Sequence, residues 1–473
     1  MLFRQIPDQG LSQYAYLVGC QRTGEALLID PERDIDRYDR IAAAEGLRIT
    51  TVAETHIHAD YLSGLREFAE RPGLRVVLSK AGPPDWQYAW IGAGQAEYLP
   101  VGDGDRFTVG RIDIEVRHTP GHTPEHIVFV VTDRGSGADD PIGVATGDFL
   151  FVGDVGRPDL LESAAGQVGA MRPAAVQLQA SLRQVAAWPE FMQVWPGHGA
   201  GSACGKALGA VPTSTVGYER RFNGVLSLAS DPGAAFVDAI LDGQPEPPPY
   251  FARMKRLNRD GAALLGPVPV PPQLSLEDVV AHPEYVVLDT REDRAAFMAA
   301  HLPGSLHAPR TRQFTGTTGA YVEPGQPLVL LTDAPDVDAL VRALVRIGLD
   351  DIAGWVPVEE FERWRDAGGS TASIARVSFA EAPQPGDGAT WLDVRGAAEF
   401  AADHVPGALH VPQSRLGVEQ ARVPQGGPVV VHCATGGRAA LASAFLASLG
   451  RDVRYVDDDF TRWRRESISR DDH

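Results

Sequence analysis

A multidomain fold of mixed α and β structure is predicted for this chain, and three observations predict it. The 473 residues exceed the size at which one hydrophobic core keeps growing, so about two to four domains are expected. From residue 1 to about residue 240, short apolar runs (EALLID, IDIEVRH, IGVATGD, FMQVWPGH) alternate with turn signals and helix-like stretches such as DRYDRIAAAEGL, the pattern of mixed sheet covered by helices. Farther on, VVLDTREDRAAFMAAHLPGSLHAP from Val286 returns as TWLDVRGAAEFAADHVPGALHVP from Thr390. Each copy leads into another apolar strand (PLVLLTD, PVVVHCA) and a helix-like run, so one α/β domain is duplicated. The stretch QPEPPPY at 244–250 stiffens the chain between the two patterns. The expected domains are 1–245, 265–370 and 375–473.

Composition narrows the functional classes. Hydrophobic residues at 44% and charged residues at 22% make an ordinary globular balance. A formal charge of -19 without a dense basic block repels phosphate backbones, so no nucleic-acid partner is expected. The first residues lack a charged leader before an apolar run, and nowhere do about 18 apolar residues follow one another. No membrane partner is expected, and the cytoplasm is the default location. Only Cys20, Cys204 and Cys433 occur, far apart and without a CxxC pair, which argues for lone thiols in a reducing compartment. Cys20 ends the strand-like YAYLVGC and reads as core, with no cation or helix start beside it to lower its pKa.

Four loops carry metal chemistry. THIHADYLSG offers His56, His58 and Asp60 at alternate positions, which in extended backbone aim the same way. TPGHT brings His122, ATGDFLFVGDVGRPD brings Asp148, and WPGHG brings His198. Each follows a strand-like run, so one edge of a sheet or sandwich would gather them. Imidazoles and carboxylates collected from several strands are what a catalytic metal needs. Cys204 follows His198 by six residues and falls near the metal mouth, where it forms a persulfide, lines a thiol pocket, or simply packs as a small apolar residue.

The second repeat adds a sulfur site. In HCATGGR, Cys433 sits at a strand end and is followed by Ala434, Thr435, Gly436, Gly437, Arg438 and a helix-like run. A loop that wraps a sulfur and enters a helix points backbone N–H groups at it, which favours thiolate and persulfide. The two glycines permit the tight wrap, and Arg438 is suited to hold an anionic sulfur acceptor or the loop itself. The first repeat reads LLTDAPDVDAL there, with Thr332 or Asp333 at the thiol position. It has no cysteine, so a structural role is expected of it.

The order and wording of the front motifs resemble the metallo-β-lactamase superfamily, over about the first 240 residues, and within it the persulfide dioxygenases. That resemblance implies an αββα sandwich with His56, His122 and Asp148 holding one Fe(2+) per chain. Such a 2-His-1-carboxylate set leaves coordination positions open for substrate and dioxygen. His58, Asp60, Tyr61, His198 and Arg157 would surround it, with Arg157 and Asp159 as a structural ion pair. Tyr61 stands where dinuclear hydrolases of the superfamily have a histidine for a second metal, so a single metal is implied.

The second repeat, from about 375 to the C-terminus, resembles the rhodaneses through C-x-x-G-x-R together with LDVR and HVPGALHVP. Cys433 and Arg438 are then catalytic, and Ala434, Thr435, Gly436, Gly437 and Cys204 meet substrate or persulfide. The three-part order resembles bacterial persulfide dioxygenase and sulfurtransferase fusions. It implies oxidation of a low-molecular-weight thiol persulfide by O2 to sulfite and thiol, coupled to rhodanese transfer that gives thiosulfate. A homo-oligomer is expected from the same resemblance. Two other readings are a dinuclear zinc thioester hydrolase of the glyoxalase II type with an accessory sulfurtransferase, and a non-enzymatic sulfur carrier or docking protein.

Overall fold

Period-two patterning orients the strands of the N-terminal part. In Ile112–His118, Ile112, Ile114 and Val116 are buried while Asp113, Glu115 and Arg117 are only partly so. The computed structural model describes residues 1–230, 235–383 and 385–464; residues 465–473 of the expected third domain lie outside the described residues. Two compact units result: Met1–Val268 with Val345–Gly348, and Pro269–Leu344 with Leu349–His473.

The first unit holds two six-stranded sheets. One runs, in spatial order, Leu2–Asp8, Gln13–Cys20, Glu25–Ile29, Arg48–Ala53, Arg75–Ser79, Glu97–Val101. The other runs Ser214–Thr215, Gln193–Pro196, Gly143–Gly147, Ile127–Asp133, Ile112–His118, Arg106–Val109. Tyr16, Val18, Leu27, Val77, Ile114, Phe129 and Trp195 form the core between the sheets. Helix Asp36–Ala44 contributes Tyr38 and Ala42 to the core on the first sheet, and helix Met171–Leu182 contributes Leu178 and Leu182 to that on the second. This is the expected αββα sandwich.

The first unit extends past the expected end at 245. Helix Tyr250–Asp260 buries Tyr250, Phe251 and Met254, so it packs on the sandwich instead of serving as a linker. It also supplies the buried Asn258.

In the second unit the two repeats build parallel sheets. The first runs Leu306–His307, Val286–Asp289, Leu328–Leu331, Ile352–Val356. The second runs Ala375–Val377, Val453–Val456, Val429–His432, Thr390–Asp393, Leu409–His410. Asp289 pairs with Leu331, and Asp393 with His432, so the residue after each strand, Thr332 and Cys433, are counterparts. Register thus selects Thr332 over Asp333 as the residue in the thiol position. Asp289–Arg291 and Asp393–Arg395 form matching ion pairs, each at 2.6 Å. The repeats share one compact unit, and one physical cause is that Tyr321 stacks on Phe445 with ring centroids 4.4 Å apart while its hydroxyl donates to the Gln413 carbonyl at 3.2 Å.

Candidate functional site

The four loops that carry the metal-type residues follow strands Arg48–Ala53, Ile112–His118, Gly143–Gly147 and Gln193–Pro196, drawn from both sheets. They meet because the strands end at one edge of the sandwich. His56, His122 and Asp148 present ligand-type atoms all within 4.8 Å of one another, and all three are buried. His122 Nε2 lies 3.6 Å and His56 Nε2 4.0 Å from Asp148 Oδ2. Neither Asp148 oxygen has a hydrogen-bond partner. A buried carboxylate with no donor is costly unless a cation completes it, and burial already pushes its pKa up to about 6, against the pull of His198. These residues fit a metal ion.

Neighbouring groups fix which nitrogen each histidine presents. Thr55 Oγ1 donates to Asp30 Oδ2 at 2.9 Å, so it accepts from His56 Nδ1, also at 2.9 Å. His122 Nδ1 faces the Arg157 carbonyl at 3.0 Å and must donate to it. Both Nε2 lone pairs are thereby left for a metal. His126 plays the same game for the carboxylate loop: its Nδ1 meets Thr119 Oγ1 at 2.8 Å, and its Nε2 accepts the Asp148 amide at 3.1 Å. Gly197 keeps the loop close, since a Cβ there would stand 2.7 Å from Asp148 Oδ1.

The other expected residues take distinct places. His198 Nε2 sits 3.4 Å from Asp148 Oδ1 and 3.4 Å from Asp60 Oδ2. Asp60, His198 and Cys204 form a second buried donor group within 4.8 Å, so Cys204 lies beside the site. Burial, then the charges of Asp60 and Asp148, push the Cys204 thiol well up. His58 turns its Nε2 toward Asp30 at 3.2 Å; burial alone would lower its pKa, but Asp30 and Glu54 bring it up to about 9. Tyr61 is fully buried, its ring 4.5 Å from that of His58, with its hydroxyl donating to the Asp30 carbonyl at 3.3 Å and accepting from Gln13 at 3.2 Å. The phenol is therefore spent on the scaffold. Arg157 pairs with Asp159 at 2.6 Å and also holds the Ala203 and Pro245 carbonyls, both at 2.7 Å.

Cys20 departs from the expectation of an unperturbed core thiol. Burial raises its pKa, but hydrogen bonds from the Thr23 hydroxyl and from the Arg111, Thr23 and Arg22 amides outweigh that and bring it down to about 7. No cation is needed; the hydroxyl and the amides together suffice.

Three residues that matter here carry no motif. Asp30, at φ 52 in the left-handed region, accepts from the Thr55 amide at 2.7 Å as well as from its hydroxyl. Asn258 ties the histidine loop from outside, donating to the His58 and Tyr61 carbonyls at 2.9 and 2.7 Å and accepting from the Ser63 amide at 2.9 Å. Lys255 lies 4.4 Å over the Trp86 ring and, with Ile57, Arg256 and Arg259, lines a cavity of about 320 Å³. Burial lowers the Lys255 pKa to about 8 against the opposing charge of Glu125. Asp30→Asn is expected to weaken metal retention by about 10- to 100-fold, because it loosens both histidines of the loop while touching no ligand atom. Competition with a chelator, read by metal content, checks this; retention equal to wild type would show that Asp30 does not orient the loop.

The sulfur loop lies in the second unit. Cys433 is buried, and the Ala439 amide donates to its Sγ at 3.4 Å, so the thiol rests on the first turn of helix Gly437–Ser448. Gly436 takes φ 87, and a Cβ there would lie 2.6 Å from Asp457 Oδ1 and 2.8 Å from the Tyr455 hydroxyl. The loop cannot close around a larger residue. Arg438 does not hold the loop: it is clamped by Glu399 through two bonds of 2.6 and 2.8 Å.

Among the described residues, no helix is long and apolar enough to cross a membrane. The family model of the metallo-beta-lactamase superfamily matches residues 8–198, and that of the rhodanese-like domain matches residues 378–466. A metallo-beta-lactamase from Staphylococcus aureus subsp. aureus COL, known from its crystal structure, is 40% identical; the match covers 76% of this chain and 99% of that one, with a TM-score of 0.66. The mitochondrial persulfide dioxygenase ETHE1 of Mus musculus is 32% identical over 169 residues, 35% of this chain and 59% of that protein. A hydroxyacylglutathione hydrolase of Rhodospirillum rubrum is 32% identical over 192 residues, 39% of this chain and 61% of that protein. The chain thus spans about three-fifths of the length of these two curated relatives.

Proposed function

This chain belongs to the metallo-beta-lactamase superfamily and carries a C-terminal rhodanese-like domain, and from that premise we propose a persulfide dioxygenase joined to a sulfurtransferase. The first unit oxidises a low-molecular-weight thiol persulfide, R-SSH + O2 + H2O giving R-SH + sulfite + 2 H+. The second passes sulfane sulfur through Cys433 to sulfite, giving thiosulfate. The observation that carries the reading is the pairing, in one chain, of a buried His56, His122, Asp148 donor group with a buried cysteine whose Sγ accepts an amide at the start of a helix.

One ferrous ion held by His56, His122 and Asp148 would supply the redox chemistry and a place where the persulfide sulfur and dioxygen meet. The protein does the rest. Thr55 and the Arg157 carbonyl hold the two imidazoles in the tautomer that presents Nε2. Lys255 draws an anionic persulfide toward the cavity beside Ile57, and Trp86 covers the ammonium from water. At the second site, Cys433 takes the outer sulfur of a persulfide, the thiol leaves with the electron pair of the broken S–S bond, and sulfite then lifts the sulfur off.

A second reading, a two-zinc thioester hydrolase, is favoured by the second donor group of Asp60, His198 and Cys204 and by the similarity to a hydroxyacylglutathione hydrolase. Tyr61, turned into the scaffold where such enzymes place a ligand, counts against it. Anaerobic purification, metal analysis and oxygen uptake with a panel of persulfides separate the two. Iron near one per chain with persulfide-dependent uptake is the expected result. Two zincs with thioester turnover and no uptake would sink the dioxygenase reading.

A further inference from the structure

Cys433 belongs to the second repeat, yet the side chain that braces its loop comes from the first. Arg294 opens helix Arg294–Ala299, which Asp293 caps by accepting from the Ala295 and Ala296 amides at 2.8 and 3.2 Å. From there its Nη2 donates to the Thr435 carbonyl at 3.1 Å and to Asp457 Oδ1 at 2.7 Å. The loop glycines lie directly against it: a Cβ on Gly436 would stand 3.3 Å from Nη2, and one on Gly437 3.9 Å from Nη1. Its side chain is 39% exposed, so the guanidinium touches both the loop and the solvent at the loop's mouth.

The framework that the repeats share does not account for this residue. Asp289, Arg291, His301 and His307 all have counterparts in Asp393, Arg395, His404 and His410, with the same partners. Three residues before Phe297 stands Arg294, whereas three residues before its counterpart Phe400 stands Ala397. Of the two positions, the arginine stands in the copy whose helix lies against the other copy's cysteine loop.

The chemistry says what such a cation is for. When thiosulfate is the donor, the Cys433 thiolate attacks its outer sulfur. A Cys433–sulfur bond forms, the bond to the sulfonate sulfur breaks, and its electron pair leaves with sulfite. Thiolate plus thiosulfate and persulfide plus sulfite each carry three negative charges, and no electrons are gained or lost overall. Beside the loop, Arg294 and Arg376 share the single carboxylate of Asp457, while Arg438 is paired with Glu399.

We propose that Arg294 of the first repeat is a positioning residue of the Cys433 site, holding the loop through Thr435 and drawing a divalent sulfur oxyanion, thiosulfate or sulfite, to its mouth. This rests on the sulfur-transfer reading of Cys433 and gives the cysteine-free repeat a part in that reaction. The test uses the full-length chain in thiosulfate:cyanide sulfur transfer. Arg294→Ala is expected to raise KM for thiosulfate by about tenfold, more than it lowers kcat, and Arg294→Lys to recover part of the loss, since it restores charge without the planar fork. An independent readout is protection of Cys433 by sulfate against alkylation with iodoacetamide, followed by mass spectrometry. Sulfate should protect wild type at about tenfold lower concentration than Arg294→Ala. If wild type transfers no sulfur, the sulfur-transfer reading falls, and the sulfate experiment still decides the role of Arg294. An unchanged KM, or equal protection in wild type and variant, overturns the proposal.

Discussion

Asp148→Ala is expected to strip the first unit of its metal, lowering retention by more than about 100-fold and persulfide-dependent oxygen uptake with it. Asp148 supplies the only carboxylate in the donor group with His56 and His122, so its loss leaves two neutral imidazoles and no charge to offset a divalent cation. A second consequence separates this role from a merely structural one. In the metal-free protein Asp148 is buried, and burial pushes the carboxyl's pKa up to about 6. Alanine relieves that cost, so the metal-free variant should unfold at the same temperature as metal-free wild type or higher. Metal analysis and thermal unfolding of chelated protein measure the two effects. A variant that keeps metal at the wild-type ratio would show that another carboxylate does the work.

The other large effect is expected of Cys433→Ser. Serine is nearly isosteric and Cys433 is only 2% exposed, so the loop and helix should stay folded. Sulfur transfer should fall by at least about 10³-fold, because the hydroxyl can neither form a persulfide nor release one. Oxygen uptake at the first unit should persist. On the proposed function the product should therefore change from thiosulfate to sulfite, and chromatography of the two anions reads the change directly. Persistent thiosulfate would mean that Cys20 or Cys204 carries the sulfur, and a Cys204→Ser companion distinguishes these. Cys20 is the less expected carrier despite its lowered pKa, since it packs in the core between the sheets.

What was legible in the chain was the local chemistry. Turn-flanked HIHAD, TPGHT, TGD and WPGH name donors that the fold does bring to one sandwich edge, because short loops after strands leave their side chains little freedom of direction. The duplicated LDxR pattern likewise announced two sheets with matching ion pairs. Near 245 the chain shows less than the packing does: proline-rich QPEPPPY reads as a linker, and only packing shows that the helix beyond it buries Tyr250, Phe251 and Met254.

Sequence by itself determined the residue types at the two sites, the strand and helix periods that present them, and the duplication of the C-terminal α/β repeat. Tertiary structure alone decided that Asn258 braces a loop 200 residues before it, that Lys255 faces the cavity beside Ile57, that Thr332 rather than Asp333 matches Cys433, and that Arg294 reaches the loop of the other repeat 141 residues on. The reason is physical. A hydrogen bond or an ion pair across such separations leaves no periodicity in either segment, because its geometry is set by how sheets and helices pack and not by the spacing of residues along the backbone.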